Sequence, residues 1–434
     1  MPWQRQRGSG SGSSHGAECS VKAVREQLRE VEVRLDDLGA PGNHARRHRR
    51  TGVTATAVLA GAFLFNLGQG VLRPTMPLYL QTVFAADYRM VTLIPAVFGV
   101  GRWMANLPVG YLQDRLGRRT LMASGLSLIA ACDVASAIAP TYAIFVGLRG
   151  VAGVGWAMFA TSAVTMMVGG PSARRGRSLS VLMMSETSGL LVGSAAGGWL
   201  YGGVGVASPL VFEAGCMLAA ACAVAAAGMP AAPPHDVAVG NTRAVLRDVL
   251  RAPGVVATSV TNGLLVAIQT GVLVFLYPLY LANRAGVGPG GVGVLVSLTV
   301  AGRLAILWLG GGASDRWGRL RVLRPGLLAY AGLLATVPVV SDPRWLAVWS
   351  LAIGAASGFV AALPTALIGD RVPPDHHGVA IGWARTLADT GQIAGPIVMG
   401  TLADAVSLAA PFLVAAYLVV AAAVVGARSR SALR

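Results

Sequence analysis

The sequence predicts an all-α membrane protein of twelve transmembrane helices, arranged as two six-helix bundles in parallel repeat around a central cavity. Three observations predict it. The 434 residues are 54% hydrophobic and only 12% charged, with a mean hydropathy of +0.61. Apolar runs of about 20 residues recur, each long enough to cross roughly 30 Å of hydrocarbon as a helix. Arginines sort to alternate loops, and residues of the first half recur in the second at a fixed offset. A soluble chain of this length needs far more charge to cover its surface, and a transmembrane β-barrel would show short alternating segments.

The spans fall at 53–80, 88–112, 119–138, 142–168, 178–203 and 207–229, then 255–282, 291–313, 322–339, 344–369, 377–402 and 407–427. A polar linker, 230–254, contains "PAAPPHD" and separates the halves, and 428–434 form a C-terminal tail. Residues 1–52 differ in kind. "GSGSGSSHG" reads as flexible linker, Ser20 to Leu38 as a short charged helix, and "HARRHRR" as a basic collar before the first span. The segment is either a partner- or headgroup-binding element or a largely disordered tail.

The formal net charge of +16 does not indicate nucleic acid, because the arginines lie in short loops between apolar runs. One set of loops carries Arg115, Arg118 and Arg119, then Arg174, Arg175 and Arg177, Arg243, Arg247 and Arg251, Arg316, Arg319 and Arg321, and Arg371; the opposite set carries Arg89, Arg284 and Arg344. The bias places both termini in the cytoplasm. Of the four cysteines, Cys132, Cys216 and Cys222 fall inside apolar runs, so no disulfide framework is indicated.

The repeat is the most informative feature. Gly101-Arg102 recurs as Gly302-Arg303, Asp114-Arg115 as Asp315-Arg316 and Gly117 as Gly318, each 201 residues on. Later the offset is 202: Gly189 matches Gly391, Gly193 matches Gly395 and Gly198 matches Gly400. Six spans per half give the halves the same orientation, related by an axis along the membrane normal.

Four stretches carry a resemblance to the major facilitator superfamily, over residues 53–427. "GYLQDRLGRR", with Gly110, Asp114, Arg115, Gly117, Arg118 and Arg119, resembles the family's signature loop between spans two and three. "GGASDRWGRL", with Gly311, Asp315, Arg316, Gly318 and Arg319, is its echo between spans eight and nine. "LRGVAGVGWA", with Arg149 and Gly153, resembles the second motif, and "GLLVGSAAGG" the glycine motif of proton-coupled drug exporters. The exporter pattern has Gly-Pro in span five, where this chain has Gly193-Ser194; Gly395-Pro396 appears in span eleven instead.

The resemblance implies a transporter, not an enzyme. The two Asp-Arg clasps are expected to hold the cytoplasmic faces together by charge-assisted bonds, beside turns that Gly117 and Gly318 permit. Gly189, Gly193 and Gly197, with Gly391 and Gly395, have the spacing of close helix contacts. Ionisable groups inside spans are costly and usually functional: they are Arg102, Asp133, Arg149, Glu186, Glu213, Arg303, Arg385 and Asp389. Since all six histidines lie outside the spans, these carboxylates are the candidates for coupling a proton, with structural ion pairs as the alternative.

The resemblance implies that span two packs on span eleven and span five on span eight; helical rise then matches depths in two cross-half pairs, Arg102 with Asp389 and Arg303 with Glu186, against a local Arg385–Asp389 pair. Arg73 is expected to snorkel outward or to line a vestibule. Asn66, Gln69, Trp156, Asn262, Gln269 and Thr270 are candidate cavity residues, with Trp156 and Met158 also readable as packing.

No phosphate-binding GxxxxGK[ST] loop and no metal-ligand spacing occurs, so no cofactor or metal is expected. The expected partners are a small-molecule substrate, a proton and the lipid bilayer of the plasma membrane, with no nucleic acid and a monomeric protein. The leading expectation is proton-coupled efflux of small, partly apolar organic molecules. The alternatives are a facilitator or importer of a polar metabolite, and a sensor or scaffold on a transporter fold.

The arginine asymmetry predicts topology directly. A cysteine placed at Ser172 is expected to react with an impermeant thiol reagent only from the cytoplasm, and one at Asp342 only from outside. Reaction of both from one side would break the twelve-span arrangement.

Overall fold

A computed structural model describes residues 41–168, 175–227, 242–317, 319–340, 342–373 and 377–428. Residues Met1–Thr54 and Ala55–Arg434 form separate compact units, and the bundle below is the second. The expected charged helix at 20–38 lies outside the described residues.

The chain is all helix among the described residues. The first half comprises α1 (Pro41–Phe84), α2 (Tyr88–Leu116), α3 (Arg118–Ala137), α4 (Tyr142–Val168), α5 (Arg175–Gly203) and α6 (Ser208–Ala226). A short helix, α7 (Thr242–Arg251), follows. The seventh rod is α8 (Val255–Ile268), a π-helical stretch (Gln269–Leu276) and α9 (Tyr277–Asn283). Then come α10 (Pro289–Trp317), α11 (Arg319–Thr336), α12 (Pro343–Arg371), α13 (His377–Ala405) and α14 (Ala410–Arg428).

Among the described residues, seven helices are long and apolar enough to cross a membrane. A further helix, Ala410–Val424 within α14, is apolar but shorter. Prolines sit inside α1 (Pro74, Pro77) and α2 (Pro95, Pro108), as membrane helices tolerate where neighbours satisfy the freed backbone.

Two features differ from expectation. The basic collar lies within α1, which begins at Pro41. The last part of the 230–254 linker is helical, as α7, with Val249 buried against Val255, Ile368 and Val372. Its apolar residues recur at helical spacing, a pattern that polar composition alone had obscured.

Packing repeats between the halves. In the first, α2 lies on α4, α3 on α4 and α6; in the second, α10 lies on α12, α11 on α12 and α14. The halves meet where α2 packs on α13 and α5 on α10. Glycines make these approaches possible. Gly189, Gly193 and Gly197 of α5 face the carbonyls of Phe63, Leu67 and Val71 on α1. Gly391 and Gly395 of α13 face Gly263 and Ala267 on α8. Gly101 and Gly153 join α2 to α4, and Gly302 and Gly354 join α10 to α12. Without a hydrophobic force between helices in lipid, close packing of this kind carries the association.

A side chain at such a glycine must displace backbone. A Cβ at Gly70 would stand 2.6 Å from the Leu190 carbonyl oxygen and 3.0 Å from Gly193 Cα. Gly70→Val is therefore expected to destabilise by about 1–3 kcal/mol or more. At Gly147 a Cβ meets nothing within 4 Å, so Gly147→Ala should leave thermal unfolding in detergent unchanged. Equal melting of the two variants would contradict the packing account.

Candidate functional site

The turn between α2 and α3 follows from its glycine. Gly117 has φ 79°, a left-handed conformation that other residues adopt at a cost. Beyond it, Arg119 donates to the Ala225 carbonyl at the end of α6, where a cation also meets the negative end of a helix dipole. This motif arginine thus ties α3 to α6 within one half. Arg115 is exposed and Arg118 partly buried. The side chains of Asp114, Asp315, Arg316 and Arg319, and Gly110, Gly311 and Gly318, lie outside what is described, so the expected clasps are not seen.

The ends of the helices remote from the termini are joined between halves. Asp404, at the end of α13, accepts from the backbone amides of Tyr88 (3.0 Å) and Arg89 (2.7 Å) at the start of α2. A carboxylate suits a helix N-terminus, whose first amides lack partners. Asn283 donates to Gln81 at 3.1 Å. Gly198 meets Pro289 and Gly293, and Gly400 meets Thr92. Sequence reasoning missed Asp404, whose position just inside a loop resembles an ordinary surface charge.

Three sets of charges occupy the interior. In the first, Arg102 of α2 donates to Asp389 of α13 across the interface between the halves. Trp156 lies under the same guanidinium, 4.8 Å from ring centroid to Cζ, a cation–π contact. Asp389 takes the cross-half partner rather than Arg385, which is exposed. Trp156 is thus a support for Arg102, while Met158 packs beside Ala105, Val109 and Leu121.

The second set is sealed inside the first half. Arg149 of α4 donates to Asp133 of α3 and, at 3.1 Å, to Ser136 Oγ. Its other terminal nitrogen stands 3.8 Å from Glu213 of α6. Gln69 of α1 donates to Glu213 at 2.6 Å. Asp133 and Glu213 have no solvent exposure and Arg149 has 3%. Two carboxylates thus share one guanidinium, so a single added proton makes the cluster neutral. Asp133 Oδ2 and Glu213 Oε2 have no other hydrogen-bond partner. Gln69, expected to face the cavity, is instead a ligand of this cluster. The sequence had carried one usable signal: Asp133 and Arg149 lie sixteen residues apart, on either side of the short α3–α4 turn, within reach of one another in a helical hairpin.

The third set is unbalanced. Arg303 of α10 lines a cavity with Asn262, Gln269, Tyr330 and Ser357. The expected Arg303–Glu186 pair does not form: among the described residues neither side chain has a hydrogen bond or ion pair. The repeat explains why. With an offset of 202, Asp389 corresponds to Thr187, and Glu186 to Ala388. One residue turns a side chain about 100° around a helix, so Glu186 is out of register with the interface. Arg73 of α1 is partly buried, and it is not among the residues that line the Arg303 cavity. Asn66 donates to the Ala62 carbonyl at 3.0 Å, within its own helix, and Thr270 is partly buried in the π-helical stretch.

Comparison with known proteins agrees with this architecture. Residues 58–270 and 259–432 each match the Major Facilitator Superfamily. The chain is 27% identical over 356 residues to an uncharacterized MFS-type transporter, YcaD, of Escherichia coli O7:K1, covering 78% of this chain and 86% of that one. It is 24% identical over 383 residues to the multidrug resistance protein MdtG of Serratia proteamaculans, covering 83% and 89%. Among solved structures, the nucleoside transporter NupG superposes with a TM-score of 0.73 at 12% identity, covering 87% of this chain and 98% of that one. With two repeats matched in tandem and the bundle's pairings duplicated, the chain belongs to the major facilitator superfamily, a multi-pass membrane transporter.

Proposed function

We propose that this transporter is a proton-coupled exporter of small, partly apolar organic molecules, resident in the plasma membrane with cytoplasmic termini. The observation that supports coupling is the sealed Asp133–Arg149–Glu213 cluster, which holds two acids against one base. An uncompensated charge in hydrocarbon is costly, so the cluster favours binding one proton. Gln69 links Glu213 to α1, so the cluster joins four helices of the first half. The weak relationship to MdtG supports the outward direction, and the arginine distribution supports the topology.

In proteoliposomes, transport by the parent protein is expected to respond to an imposed pH gradient. Asp133→Asn and Glu213→Gln should each remove that response while substrate exchange without a gradient persists. Gradient-driven accumulation that survives in both variants would sink the proposed coupling.

The Arg102–Asp389 bond crosses the interface on which alternating access depends. Arg102→Gln or Asp389→Asn alone strands a buried charge, which costs about 3–5 kcal/mol for a buried pair, and should abolish transport. The reversed pair, Arg102→Asp with Asp389→Arg, should recover part of it. Flux no better in the reversed pair than in either single variant would remove this bond from the transport cycle.

A further inference from the structure

Among the described residues, Arg303 has no ion pair. Its repeat mate, Arg102, is matched by Asp389. At the equivalent interface the chain offers Thr187 where the acid would stand, and Glu186 misses the register. The result is a guanidinium in the protein interior with no ion pair among the described residues. An isolated charge of this kind is destabilising in a low-dielectric setting unless an opposite charge is supplied.

The cavity that Arg303 lines is shaped for such a supply. It has a volume of about 50 Å³ and presents the amides of Asn262 and Gln269 with the hydroxyls of Tyr330 and Ser357. Water needs only about 10–15 Å³ of such space, so the cavity has room for an ionised headgroup. The guanidinium fork suits a planar carboxylate or a phosphate. Leu265, Val266 and Val360 border the same space and suit an apolar body attached to that headgroup.

We infer that the transported molecules are organic anions whose carboxylate or phosphate binds Arg303, with the Asn262 and Gln269 amides as further ligands. This rests on the transporter reading above and names its substrate class.

The test uses the full chain purified in maltoside detergent and equilibrium dialysis at constant pH. Three probes of one shape differ in charge: benzoate, benzyl alcohol and benzylamine. Benzoate is expected to bind saturably and more tightly than the other two. Arg303→Gln should weaken it by about tenfold or more, as loss of a charged hydrogen-bonding partner does. Arg303→Lys keeps the charge, so partial retention there separates lost recognition from lost folding. Benzyl alcohol or benzylamine binding as well as benzoate would overturn the inference. So would an Arg303→Gln variant with parental affinity. Benzoate displaced by added phosphatidylglycerol would assign the site to a lipid headgroup and overturn the solute reading. No gradient is present, so failure of proton coupling leaves this result unaffected, and loss of anion binding leaves the coupling test standing.

Discussion

Charge inside hydrocarbon must be balanced, and that constraint organises this protein. Each ionised group in a span is expensive unless a partner meets it. Arg102 meets Asp389 across the halves, and Arg149 meets Asp133 and Glu213 within one. The first bond holds together two bundles that must move apart. The second holds three helices, α3, α4 and α6, around a single guanidinium, with α1 attached through Gln69. Helix positions in the first half therefore follow from where its charges can be neutralised.

Packing supplies the other condition. Glycines on α5 and α13 let α1 and α8 approach until side chains are replaced by backbone contact. Such faces are smooth, with few interdigitating side chains to unlock. The joined ends remote from the termini use the same device at Gly198 and Gly400, reinforced by Asp404 on the amides of α2. Contacts made by glycine and by one carboxylate on backbone amides can break and re-form without repacking a core.

The two halves share a scaffold and differ in charge. Ser350 stands where Arg149 does, and Leu334 where Asp133 does, 201 residues on. Where the first half has a charged cluster, the second has a neutral hydrogen bond between Tyr277 and Ser350, 2.6 Å long. Conversely, the second half keeps Arg303 without the acid that its mate enjoys. A repeated scaffold halves the problem of folding, while departures from the repeat create unlike sites. Function is to be sought at those departures.

The sequence by itself determined the class, the twelve spans and the repeat. Each depends on local quantities: apolar length, loop charge and residue spacing. It also reached the glycine contacts, through their four-residue spacing, and the Arg102–Asp389 bond, through depth along the helix once the family resemblance supplied which helices are neighbours. Tertiary structure alone decided what depends on angle around a helix and on which helices are neighbours. Glu186 has the right depth and the wrong face. Gln69 has the chemistry of a cavity residue and is taken by Glu213, 144 residues away. The charged cluster needs four helices to converge, and no single segment carries a record of that meeting.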